Sequence, residues 1–196
     1  MKSLDLTSGQ LRPIATIRTA QAEESGWFTV EPGGVYTLFS NGQYHNDPFT
    51  PAVDRINNAT GAVTPLPRLT SLLPALGGFT QELWRPGSDQ ALVATGFPEN
   101  GDLKYYLIDV LQDTATPLAV SGFPEAWSPD GGTLVVAVGS QQDMVNGLGF
   151  KDVGIVGSDP FTLTALTVDS QGNIHNSVTL TTDATTIPVL GFVRTA

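Results

Sequence analysis

Short apolar runs rich in β-branched residues alternate along this chain with clusters of turn formers, and that rhythm predicts strands rather than helices. The clearest unit is 126–140, AWSPDGGTLVVAVGS, where Glu125, Ala126 and Trp127 lead into Ser-Pro-Asp-Gly-Gly and the apolar run 134–138 follows. Turn residues of this kind between two apolar segments read as strand, tight turn, strand. Thr is abundant, and no long Glu/Lys/Ala-rich helical stretch interrupts the pattern.

The unit recurs. FTVEPGGVYTLFS (28–40) and LWRPGSDQALVAT (83–95) repeat it, with Pro32, Pro86 and Pro129 at the equivalent turn. Between these lie copies of a second unit: LDLTSGQLRPIA (4–15), INNATGAVTPLP (56–67) and IDVLQDTATPLA (108–119). Pro13, Pro65 and Pro117 are spaced by 52 residues, as are Asp5, Asn57 and Asp109, and Gly9, Gly61 and Asp113 at the turn. VDSQGNIHNSVTL (168–180) is a fourth copy, with Asp169 60 residues after Asp109. Each repeat thus holds four strands, a and b around the Pro-Gly turn and c and d around the Asp/Gly turn. Four antiparallel strands per ~50 residues predict a propeller blade.

The expected fold is therefore all-β, a β-propeller of about four blades in one domain over 1–196. Complete blades are expected at about 25–68, 77–119 and 121–181, with a closing blade split between 3–18 and 187–195 and lacking strand b. Two forms of closure fit: a small ring with an irregular fourth blade, or an arc of a larger propeller whose open edges pair with another chain or with further sequence. The ending VLGFVRTA, without a polar tail, favours the arc, because an unpaired sheet edge invites association.

WSPDGGTLVVAV, preceded by a c strand ending in Asp as in YYLIDV, resembles the TolB-type (WD40-like) β-propeller repeat. The resemblance covers most of the chain. It is sharpest at 126–138, fair at 83–119 and weaker at 28–67, where Val30 stands at the Trp127 position. The family pattern Trp-x-Pro-Asp-Gly has drifted to Val-Glu-Pro-Gly-Gly and Trp-Arg-Pro-Gly-Ser in the first two copies. The motif is structural and implies blades, not chemistry. The resemblance implies a bacterial, extracytoplasmic (periplasmic or cell-surface) protein. It further implies a non-catalytic module for protein–protein interaction or scaffolding, as a subunit of a larger assembly. The alternatives are the propeller portion of a serine-peptidase-like hydrolase with its catalytic domain elsewhere, or a small-ligand or cation-binding propeller.

Composition trims this list. The chain has 196 residues, 40% of them hydrophobic and only 14% charged, with 21 Gly and 14 Pro. The net charge of −10 argues against nucleic acid and anionic membrane surfaces as partners, since both need a basic stripe. Cysteine is absent, which removes disulfides, thiolate zinc sites and a Cys nucleophile. The opening MKSLDLTSGQ has no apolar core segment, so no signal peptide is expected within this chain. No apolar run is long enough for a membrane span.

Loop length separates the two faces of the expected propeller. The a–b and c–d turns are tight and share one face; the b–c and d–a connections are long and share the other. The long ones are 41–50, 97–103, 141–161 and 68–78. Long connections on one rim are where such scaffolds carry function. The candidate partner-binding residues are Tyr44, His45, Asp47, Glu99, Asp102, Asp143, Met144, Asn146 and Asp152. Segment 141–161 is the outlier in length and glycine content. No cofactor is expected. Asp47, Glu99, Asp102, Asp143, Asp152 and Asp159 offer the oxygen ligands Ca²⁺ prefers, yet no D-x-[DN]-x-[DN]-G loop organises them. No catalytic residues are assigned: His45 and Asp47 stand two apart in a loop, and no G-x-S-x-G elbow exists. Trp84 and Trp127 share one repeat position, which predicts packing between blades, and Phe79, Phe123 and Phe192 are expected in the core. Asn58-Ala59-Thr60 matches a glycosylation sequon in an exposed c–d turn.

Overall fold

The repeat pattern becomes one sheet built three times. The structure is a computed structural model that describes residues 2–4, 10–15, 27–41, 51–73, 79, 81–96, 103–138 and 161–184. β1 (Lys2–Leu4) and β2 (Leu11–Pro13) pair as a hairpin. Blade 1 is β3 (Trp27–Val30), β4 (Tyr36–Asn41), β5 (Ala52–Asn57) and β6 (Val63–Pro65). Blade 2 is β7 (Gln81–Trp84), β8 (Gln90–Thr95), β9 (Lys104–Asp109) and β10 (Thr114–Leu118). Blade 3 is β11 (Phe123–Trp127), β12 (Thr133–Val138), β13 (Phe161–Val168) and β14 (Ile174–Ala184). Each blade is an antiparallel four-stranded sheet in sequence order. The architecture is a partial β-propeller, and among the described residues it is all-β apart from one helical turn, α1 (Pro67–Thr70).

Identical backbone bonds close the three a–b turns: Glu31 N to Tyr36 O, Arg85 N to Gln90 O, and Ser128 N to Thr133 O. The c–d turns explain the recurrent Asp or Asn. Asn57 Oδ1 accepts from the amides of Ala59 and Thr60, Asp109 Oδ1 from Leu111 and Gln112, and Asp169 Oδ1 from Gln171 and Asn173. A short side-chain acceptor replaces the strand ladder where the chain reverses. Asn58, half-buried, is not the exposed sequon residue the sequence suggests. Its amide donates to Gly34 O and its carbonyl accepts from Thr37 Oγ1.

Two apolar clusters lie between the blades. Leu38, Val53, Leu69, Trp84, Val93 and Ile108 belong to the seam between blades 1 and 2. Leu92, Tyr105, Leu107, Trp127, Val136 and Leu166 belong to the seam between blades 2 and 3. Phe79 and Phe123 are buried as expected; Phe192 lies outside the described residues.

The outer strands manage their free edges differently. β2, β6 and β10 carry Pro13, Pro65 and Pro117. A proline cannot donate to a further strand, which blunts the edge. β14 contains no proline and instead shifts register against β13 at three places, between Phe161 and Leu163, Leu163 and Thr164, and Thr167 and Val168. Such bulges twist an edge away from regular pairing, although Val178 and Leu180 remain exposed on this strand.

Candidate functional site

All nine residues proposed for the long-connection rim (Tyr44, His45, Asp47, Glu99, Asp102, Asp143, Met144, Asn146 and Asp152) lie outside the described residues. The closing segment 187–195 does so too. What is described is the opposite face, the seams, and the strand ends that lead into the rim.

The tight-turn face is occupied by contacts between blades. Arg85, in the a–b turn of blade 2, is buried; its guanidinium donates to Gly131 O at 2.7 Å, Asp169 O at 2.7 Å and Val168 O at 2.8 Å, all in blade 3. It also donates to Gln90 Oε1 and lies 5.0 Å over the Trp127 ring. Burial draws Arg85 below the usual guanidinium value, and the carboxylates of Asp169 and Asp130 push back. The turns approach closely enough that a Cβ on Gly131, at φ 72°, would stand 2.7 Å from Pro86 O. Only glycine fits such a contact at positive φ. Gln90 Nε2 adds a bond to Ser170 O.

The seam between blades 1 and 2 uses related parts. Arg55 Nη1 donates to Val110 O at 2.9 Å and its guanidinium lies 5.2 Å over Tyr36. The two Asp113 carboxylate oxygens accept from Arg68 N and Leu69 N, each at 3.0 Å, so a blade 2 turn caps α1 after blade 1. Pro67 fits the first turn of α1, where its missing amide proton has no partner to lose. Sequence inspection missed this helix, for one turn carries no periodicity. Both tryptophans reach back across a seam as expected: Trp84 Nε1 donates to Thr29 Oγ1 and Trp127 Nε1 to Leu83 O.

The strand ends facing the long connections are less settled. Tyr105 opens β9 and Glu125 sits in a bulge of β11, where register shifts between Pro124 and Ala126. By up-and-down topology both stand at the long-connection end of the seam between blades 2 and 3. Tyr105 is 6% exposed, and its hydroxyl has no hydrogen-bond partner among the described residues. Burial, and after it the Glu125 charge, pushes the Tyr105 phenol well up. Burial alone raises Glu125 to about 7. The same seam holds a cleft of about 300 Å³ lined by Ala119, Ser121, Val136, Val138, Thr164, Leu166, Ile174 and Ser177. A signal for Glu125 existed: it is the one charged residue in FPEAW, an inner strand otherwise apolar.

One carboxylate–imidazole contact occurs on the tight-turn face. His175 Nε2 lies 2.7 Å from Asp169 Oδ2, and Asn173 Nδ2 donates to the same oxygen. These two bonds hold the Asp169 carboxyl well below the usual range. They complete the c–d turn of blade 3. Among the described residues, no three His, Cys, Asp or Glu side chains gather as a metal site, and no helix is long and apolar enough to cross a membrane.

No protein-family model matches the chain, and no curated protein does. Solved structures do. TolB from Acinetobacter baumannii, a β-propeller, is similar at 14% identity and a TM-score of 0.49, over 93% of this chain and 38% of that one. An acylaminoacyl peptidase in complex with Z-Gly-Gly-Phe-chloromethyl ketone is similar at 9% identity and a TM-score of 0.44, over 79% and 25%. The uncomplexed Pyrococcus horikoshii acylaminoacyl peptidase is similar at 8% identity and 0.40, over 74% and 23%. The chain thus spans well under half the length of each. The partial β-propeller rests on the three four-stranded antiparallel sheets themselves.

Proposed function

We propose that this propeller module is non-catalytic and binds or scaffolds protein, with the rim of long connections as its contact surface. The supporting observation is the state of the opposite face. There the side chains of Arg85, Gln90, Asp109 and Asp169 hold turns and blades together. A surface whose polar groups already serve structure has little to offer a partner, which leaves the rim. Part of a larger, extracytoplasmic assembly is the setting that the repeat resemblance implies, and it belongs to the same proposal.

The test is a native pull-down with mass spectrometry, run on the chain and on a variant with 141–161 replaced by a short Gly-Ser link. A partner held by the first and lost by the second, with the variant still folded, supports the rim. Retention of the partner by the variant moves the contact surface elsewhere.

A further inference from the structure

The outer strand of blade 3 differs from the other outer strands. β2, β6 and β10 are 3, 3 and 5 residues long, and each contains proline. β14 is 11 residues long, IHNSVTLTTDA, with no proline, glycine, lysine, arginine or glutamate. Among the described residues no strand pairs beyond it, and every residue of 175–180 is exposed, Val178 and Leu180 among them. An outer strand turns alternate backbone N–H and C=O groups away from its sheet, and only another extended strand pairs with all of them. The register shifts against β13 lie to either side of 176–179, which pairs without interruption with 164–167. The middle of this edge is therefore regular. The uncharged, Thr- and Val-rich run 176–182 has the composition of a segment that recruits further strands.

We propose that β14 is the interface of an antiparallel dimer, in which β14 of a second copy of this chain extends the blade 3 sheet across a two-fold axis. The strand is complementary to itself when the axis passes at Thr179. Counting outward from there sets Val178 against Leu180, Asn176 against Thr182, His175 against Asp183 and Ile174 against Ala184 of the second copy. Apolar residues meet apolar ones, polar meet polar, and the one acid of the strand meets its one imidazole. Asp169 holds Nε2 of His175, and Nδ1 is the atom left for the second copy. Each match occurs twice, as a two-fold interface requires, and cross-strand pairs of these kinds stabilise a sheet. Elsewhere the net charge of −10 opposes self-association, but along β14 no like charges face each other. The pairing uses up both edges, so assembly stops at two. One added strand pair is smaller than the ~1,600 Å² of a standard interface, so the dimer forms and dissociates with concentration.

Sedimentation equilibrium over a concentration series is expected to show monomer and dimer in exchange. Val178→Glu combined with Leu180→Glu sets like charges against each other twice and should weaken the dimer roughly tenfold or more. Val35→Glu combined with Val63→Glu adds the same charge at exposed positions of blade 1 and should weaken it far less. The register has its own reporter, since the chain contains no cysteine. Thr179→Cys, oxidised with copper–phenanthroline, should give a disulfide-linked dimer, because residues directly opposite in an antiparallel pair stand within disulfide reach. Val35→Cys should not. Three results overturn the proposal: a monomer at every concentration, a dimer kept by the folded Val178→Glu/Leu180→Glu variant, or cross-linking of Thr179→Cys no faster than that of Val35→Cys. This surface is separate from the rim. Replacing 141–161 leaves the sequence of β14 unchanged, so failure of the dimer does not touch the pull-down, and the two proposals fall separately.

Discussion

The two seams between blades solve one problem with different residues. In each, an indole N–H reaches back to the inner strand of the preceding blade, from Trp84 to Thr29 and from Trp127 to Leu83. In each, an arginine of the earlier blade donates to carbonyls around the next blade's c–d turn. Arg55 comes from a c strand and makes one such bond, to Val110 O. Arg85 comes from an a–b turn and takes Val168 O, Asp169 O and Gly131 O. The seam between blades 1 and 2 adds the Asp113 cap on α1. Repeat arrays are held by the sum of unit and neighbour terms. Here the units are copies while the neighbour terms have diverged.

The strongest way to break the comparison is Arg85→Ala. It strands buried carbonyls in two turns and removes charged donors, so a loss of about 3 kcal/mol in urea unfolding is expected. Arg85→Lys should recover little of it, because an ammonium cannot reproduce the planar fork. A loss no greater than that of Arg55→Ala would falsify the asymmetry between the seams.

Asp113 ranks next. It holds φ 51° at the position where the earlier repeats carry Gly9 and Gly61. Left-handed backbone disfavours a side chain, and the cap offsets that strain. Asp113→Ala loses the cap and keeps the strained backbone, for about 2 kcal/mol. Asp113→Gly loses the cap but also releases the strain, so only about 1 kcal/mol is expected. Equal losses in thermal melts would show that the cap alone matters. Arg55→Ala follows at about 1 kcal/mol, for one hydrogen bond and a ring contact in a part-buried site.

What the sequence shows of this molecule is its local chemistry. The spacing of Asn57, Asp109 and Asp169 marks turns because each side chain closes its own turn. The prolines of the outer strands recur because each strand meets the same edge problem. The seams leave no comparable trace. Arg85 finds its carbonyls 46 to 84 residues away, and Asp113 caps a helix 44 and 45 residues before it. Neither distance follows from any periodicity. In the first two copies Arg85 and Glu31 occupy one position of the Pro-Gly turn. Glu31 accepts from Gly33 N and Val35 N within its own turn, while Arg85 leaves its turn altogether. Nothing in the repeat register separates those roles. The rim residues Tyr44 to Asp152 lie outside the described residues, so for them the repeat pattern remains the sole guide.

A further effect distinguishes the seams by pH rather than by a fixed loss. Glu125 titrates near 4.5 in an unfolded chain and about 7 in the fold, raised by burial. The folded state therefore holds the proton more tightly, and stability must fall as pH rises from about 4.5 through about 7. The full contribution is present below the unfolded value and is lost above the folded one. Asp54, also raised by burial, acts in the same direction. It lies on the β5 face opposite Arg55, away from blade 2, so it does not report on either seam described here. Glu125→Gln should flatten the stability–pH curve over the interval between 4.5 and about 7 more than Asp54→Asn does. Equilibrium unfolding in urea at a series of pH values reads both curves. If Glu125→Gln retains the wild-type slope while Asp54→Asn removes it, the pH-sensitive element belongs to blade 1, and the seam between blades 2 and 3 has no pH signature of its own.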